Sequence, residues 1–83
     1  MLTTEDVARI FGKSIQTIRF WLVYKHLGDY GKKLNRIWLF SLDELEQFMV
    51  DDAAHWMSKV EWDNCMDTLK REGGEQYTST ATR

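Results

Sequence analysis

The chain has no proline, one cysteine and only five glycines among its 83 residues. So few turn-formers leave little room for long irregular loops. One cysteine excludes a disulfide framework and a zinc site built from several thiolates, and it suits a reducing compartment. No apolar stretch approaches the ~20 residues of a membrane span, and the first residues lack a basic-then-apolar leader pattern. What is present is 43% hydrophobic and 13% aromatic, with four Trp, four Phe and three Tyr. Disordered chains lack such aromatics. The length allows one domain, and a chain this short buries only about 60% of its unfolded surface. The expectation is a small, cytoplasmic, mainly helical protein that spans no membrane.

The net charge of −2 hides an asymmetry. Residues 1–40 carry seven bases against three acids, whereas residues 41–83 carry four bases against ten acids. A split of this kind suggests one half that faces nucleic acid and another with a separate task.

Local signals order the chain. Thr3 can cap a first helix with Asp6 answering it, and Val7, Ala8, Ile10 and Phe11 supply its apolar face. Gly12 suits a left-handed stop. Ser14 caps a second helix whose inward face is Ile15, Ile18, Trp21 and Leu22. Residues 27–31 break the helical period, and Ile37-Trp38-Leu39-Phe40 reads as a strand after a basic turn. The hairpin tip is expected near Lys33-Leu34-Asn35-Arg36. Ser41 and Glu44 form a capping box for a third helix striped by Leu42, Leu45, Phe48 and Met49. Ser58 and Glu61 look like another box, starting a fourth helix over about 59–71 that Gly73 would end.

Helix, turn, helix, basic hairpin, capped helix is a winged helix-turn-helix, mainly α with a small β-hairpin and further C-terminal helices. The run Leu2–Ser14 resembles the opening helix of the excisionase/MerR-like DNA-binding family. Thr17-Ile18-Arg19-Phe20-Trp21 resembles its second helix, and Trp38–Leu45 its closing strand and helix. Ile10–Ile18 is also similar to the N-terminal domain of the small terminase subunit of lambdoid phages. The resemblance covers residues 2–50 and implies binding of double-stranded DNA. Ile15 and Phe20 stand where the family commonly has basic or small polar residues.

The candidate DNA-binding residues are Lys13, Ser14, Gln16, Thr17, Arg19 and Phe20 on the second helix, and Lys32, Lys33, Asn35 and Arg36 in the wing. Arg reads the guanine edge and Gln the adenine edge, while Lys13 and Thr17 at the helix start suit phosphates. Phe20 either touches a thymine methyl or packs beneath the hairpin. The wing suits the backbone or the minor groove. Trp21, Trp38 and Phe40 are read as core, with a base-stacking platform as the alternative. His26, His55 and Cys65 are too scattered for catalysis or a metal site, so no enzyme, metal or cofactor is expected.

Three regions are thus expected: a winged DNA-binding domain over 1–50, a helical extension over 51–72, and a disordered tail over 73–83. Trp56, Met57, Val60, Met66 and Leu69 either fold back onto the core or form a self-association surface, giving a homodimer or a cooperative multimer on DNA. A regulator or excisionase-like factor of phage or mobile-element type is the first functional expectation. A packaging subunit, or an interaction module whose acidic helix holds a larger protein partner, is the alternative.

Overall fold

A computed structural model describes the backbone of residues 1–81 and the side chains of residues 1–73. The order is α1 (Thr4–Phe11), α2 (Ile15–Tyr24), a 3-10 turn (Leu27–Tyr30), β1 (Lys32–Leu34), β2 (Ile37–Leu39), α3 (Leu42–Asp51), a second 3-10 turn (Ala53–His55) and α4 (Lys59–Ala81).

The helix starts follow from their caps. The Thr3 hydroxyl accepts from the Asp6 amide, and the Thr3 amide donates back to the Asp6 carboxylate at 3.0 Å. The hydrogen bonds from Thr3 hold the Asp6 carboxyl below the usual carboxylate range, so this cap is intact above that range and weakens as pH falls through it. Ser41 and Glu44 repeat the reciprocal arrangement at α3. Gly12 ends α1 with φ 66° and ψ 35°, a conformation that strains any residue with a Cβ.

The hairpin pairs Lys32 with Leu39, Lys33 with Trp38 and Leu34 with Ile37, joined by the two residues Asn35 and Arg36. Both turn residues have positive φ, 50° and 70°, the signature of a type I′ turn whose twist matches the flanking strands. Two hydrogen bonds between Leu2 and Phe40, 2.7 and 2.8 Å, pin the end of the hairpin to the start of the chain. At Gly31 a Cβ would collide with the Phe40 ring and come within 2.8 Å of the Leu39 carbonyl, so the chain passes there only as glycine.

One core gathers every element except β1, whose three residues are exposed. Val7, Ile10, Ile18, Leu27, Phe40, Leu45, Phe48 and Met49 are sealed from solvent, and Met57, Cys65, Met66 and Leu69 belong to the same cluster. No polar or charged residue is buried with them among the described residues. Burial pushes the Cys65 thiol up from its ordinary value. The fourth helix lies across α1 and α3, and the Trp62 indole donates to the Met49 carbonyl at 2.7 Å.

Two expectations are corrected here. Met57, Met66 and Leu69 do not present a free apolar stripe for self-association, because Met66 and Leu69 bury α4 against the body of the domain and Met57, just ahead of that helix, joins the same core. Trp56 is half-buried, edge-on to Trp21 at 5.3 Å, and only Val60 of the five stands out into solvent. The fourth helix also does not stop at Gly73 but continues to Ala81. Glycine inside a helix costs about 1 kcal/mol relative to alanine, and α4 carries that cost at Gly73. A Cβ on Gly73 would sit in ordinary contact with Leu42, at 3.6 Å, and Glu72 pairs with Arg9 at 3.4 Å. The tail expected over 73–83 therefore overlaps the last part of α4, while residues 82–83 lie outside the described residues.

Removing α4 strips the core of Cys65, Met66 and Leu69. Leu69→Ala is expected to lower stability by about 2–5 kcal/mol, and a chain ending at Val50 to lose its cooperative thermal transition in circular dichroism. A shortened chain that melts cooperatively near the parent temperature would show that residues 1–50 close alone. Gly73→Ala should raise stability by about 0.5–1 kcal/mol. A stop at Gly73 would make that substitution neutral or destabilising in the same melt.

Candidate nucleic-acid interface

The second helix is oriented by its inner face. Ile18 and Trp21 are buried, and Ile15 and Leu22 are half-buried beside them. At 100° per residue the opposite side must carry Gln16, Arg19, Phe20, Val23 and Tyr24, and all five are exposed. Ser14 begins this helix. Its hydroxyl accepts from the Thr17 amide at 3.1 Å and lies 3.0 Å from the Thr17 hydroxyl. Both polar groups thus order the helix N-terminus, where amides face outward toward anions.

A groove of about 590 Å³ runs between α2 and the hairpin. Its α2 wall is Ile15, Arg19, Leu22 and Val23; its hairpin wall is Lys33, Arg36, Ile37 and Trp38; Thr3, Thr4 and Glu5 close one side. Three cations therefore meet one carboxylate there. Among the described residues Arg19, Lys33 and Arg36 form no ion pair, so their charge is directed to whatever enters. Lys32, at the start of the hairpin, is likewise unpaired among them but does not line the groove. Lys33 is partly steadied, with its ammonium 5.6 Å from the centre of the Trp38 ring. No residue of α4 lines the groove.

The first 49 residues match the family model of the helix-turn-helix domain. The chain belongs to that helix-turn-helix family. DNA binding is accordingly its function in the broad sense, and the two walls of the groove are the second helix and the wing of the helix-turn-helix unit. No curated protein and no solved structure matches the sequence.

Against this helix-turn-helix frame the sequence-predicted residues separate. Gln16, Arg19 and Phe20 share the outward stripe of α2, while Lys32, Lys33, Asn35 and Arg36 are exposed on the wing. Ser14 and Thr17 sit together at the start of α2. Lys13 is the exception. Its ammonium forms an ion pair with Glu61 of α4, so it faces the core helix rather than a phosphate. The partner lies 48 residues away, a pairing that no local pattern announces. Sequence reasoning also missed Val23 and Tyr24, which complete the outward stripe. The 3.6-residue period that placed Ile18 and Trp21 inside would have placed both of them outside.

Trp38 and Phe40 lie on one face of the hairpin with rings 6.4 Å apart and nearly parallel. Phe40 is fully buried and Trp38 half-buried, so they seat the wing on the body, with part of Trp38 left on the hairpin wall of the groove. No group of three or more His, Cys, Asp and Glu side chains among the described residues could hold a metal ion. No helix among them is long and apolar enough to cross a membrane.

Arg36 occupies a left-handed position, which costs an L-residue about 1–2 kcal/mol that glycine avoids. Arg36→Gly is therefore expected to stabilise the fold by about 1 kcal/mol while weakening binding to duplex DNA. Thermal melts and a binding titration on the same protein separate the two effects. A variant that loses stability would show that the guanidinium holds the hairpin rather than the ligand.

Proposed function

We propose that this helix-turn-helix chain recognises specific double-stranded DNA sites, with α2 lying in the major groove and the wing on the adjacent backbone or minor groove. The observation that carries the reading is the groove between α2 and the hairpin, where Arg19, Lys33 and Arg36 converge without acidic partners of their own. In the major groove Arg19 pairs bidentately with guanine O6 and N7, and Gln16 with adenine N6 and N7. Ser14, Thr17 and the amides they order face a phosphate at the entry of α2. Lys32, Lys33, Asn35 and Arg36 grip the neighbouring strand.

A single module of this size neutralises few phosphates, so two or more copies on repeated or palindromic sites supply the specificity one copy lacks. The biological setting that suits such a protein is a regulator or excisionase-like architectural factor of phage or mobile-element type. A packaging role resembling that of small terminase subunits would need a motor protein to bind the acidic α3 and α4 surface. Asp43 and Glu46 are exposed on that surface, whereas Asp63 and Asp67 pair with Lys59 and Arg71.

The division of labour is measurable. Arg19→Ala is expected to reduce discrimination between matched and scrambled duplexes by about 1–3 kcal/mol. Lys33→Ala should weaken both duplexes alike and lower the salt slope of log K by roughly one. Lys13→Ala should leave that slope unchanged, since Glu61 already holds its charge. Equal behaviour of the three variants in titrations across salt concentrations would remove the proposed roles of helix and wing.

A further inference from the structure

The outward stripe of α2 carries far more carbon than a surface of hydrogen-bonding readers requires. Phe20 is 50% exposed, Val23 70% and Tyr24 66%. They follow Gln16 and Arg19 along one side of the helix, since residues three and four apart are neighbours there. The Phe20 and Tyr24 rings lie 4.8 Å apart at 35°, so each limits the motion of the other. An exposed apolar patch of this kind marks a surface that meets a partner. The patch borders the groove of Arg19, Lys33 and Arg36, and Val23 lines that groove itself. Its occupant must therefore bring negative charge and an apolar feature side by side.

We propose that Phe20 and Val23 read the C5-methyl groups of thymines in the major groove, with Tyr24 positioning the Phe20 ring. This rests on the reading of α2 as the helix that enters that groove. The major-groove edges of guanine, adenine and cytosine offer donors and acceptors, and the thymine methyl is the one apolar group among them. A phenyl or isopropyl group pressed onto a donor or acceptor strips its water and returns no hydrogen bond. Pressed onto a methyl, it removes only carbon from water. The duplex also supplies the second requirement, because its phosphates lie beside those methyls and face the cations of the groove. The helix rises about 1.5 Å per residue, so Val23 stands about 6 Å beyond Arg19, roughly two steps of 3.4 Å along a strand. The thymines should therefore fall within about two base pairs of the base that Arg19 contacts.

The test uses the full chain and duplexes enriched by it from a random pool. Each thymine of an enriched site is replaced singly by deoxyuridine, which removes the methyl and keeps the base pairing. Binding is expected to weaken about fourfold per contacted methyl, the value of one buried methyl-sized group, at one or two neighbouring positions and nowhere else. Phe20→Ala or Val23→Ala should then bind the thymine and deoxyuridine forms of its position equally, with an unchanged circular dichroism spectrum because both residues are exposed. Enriched sites without thymine there, or sites that bind equally well with deoxyuridine at every position, overturn the methyl readout and leave DNA recognition by α2 standing. Insensitivity to deoxyuridine joined to a dimer that Phe20→Ala dissociates in sedimentation gives the stripe to a second copy of the chain. If no duplex is enriched, the placement of α2 in the groove fails first, and the methyl readout with it.

Discussion

Trp21 is the side chain on which the orientation of the reading helix depends. Its ring lies 6.0 Å from Phe11 of α1, 6.0 Å from Phe48 of α3 and 5.3 Å from Trp56 after the second 3-10 turn. Three elements thus hold α2 by one residue on its inner face. Tilted and edge-on aromatic contacts of this kind fix rotation as well as distance, since the favourable geometries are few. Once Trp21 and Ile18 are turned inward, the helical period leaves no freedom in which residues face out. The stripe from Gln16 to Tyr24 is a consequence of that packing. Lys25 closes the arrangement from outside, its ammonium 4.9 Å from the centre of the Trp56 ring.

The fourth helix shapes the site without touching it. Of the seven bases in residues 1–40, Arg9 pairs with Glu72 and Lys13 with Glu61, while Lys25 covers Trp56. The four that remain, Arg19, Lys32, Lys33 and Arg36, all stand on α2 and the wing. Ion pairs at such partly exposed positions add little to stability. Their effect on the potential is larger in kind, because they offset Arg9 and Lys13 on the α4 side of the domain while Arg19, Lys33 and Arg36 of the groove keep no acidic partner among the described residues. The charge asymmetry legible along the sequence therefore becomes an asymmetry between faces only after α4 has folded onto α1 and α3.

What was legible in the sequence was mostly local. Thr3 with Asp6, Ser14 and Ser41 with Glu44 each declare a helix start within three residues, and each cap forms. The hairpin could be placed because Ile37 to Phe40 is rich in β-formers and the residues before it favour a turn. Ser58 shows where local reading thins out. Its hydroxyl accepts from the Glu61 amide as a cap should, but the Glu61 carboxylate pairs with Lys13 instead of returning to Ser58. Gly73 likewise failed as a stop signal, since α4 runs through it to Ala81. The role of Met57, Met66 and Leu69 could not be decided from periodicity, because a core face and a partner face have the same pattern.

The wing poses the opposite problem, since a two-stranded hairpin of this length is marginal by itself. Its register is set from both ends. At the base, Leu2 bonds to Phe40, Phe40 is fully buried, and Gly31 lets the chain pass close to that ring. At the tip, Asn35 and Arg36 accept left-handed backbone so that the turn twists with its strands. Both walls of the groove are therefore fixed before any ligand arrives. Binding then has to order mainly the long side chains of Arg19, Lys33 and Arg36, at about 0.5–1.5 kcal/mol each. Lys33 has already given up part of that freedom over Trp38, so the same ring that seats the wing on the domain also prepares one of its cations for a phosphate.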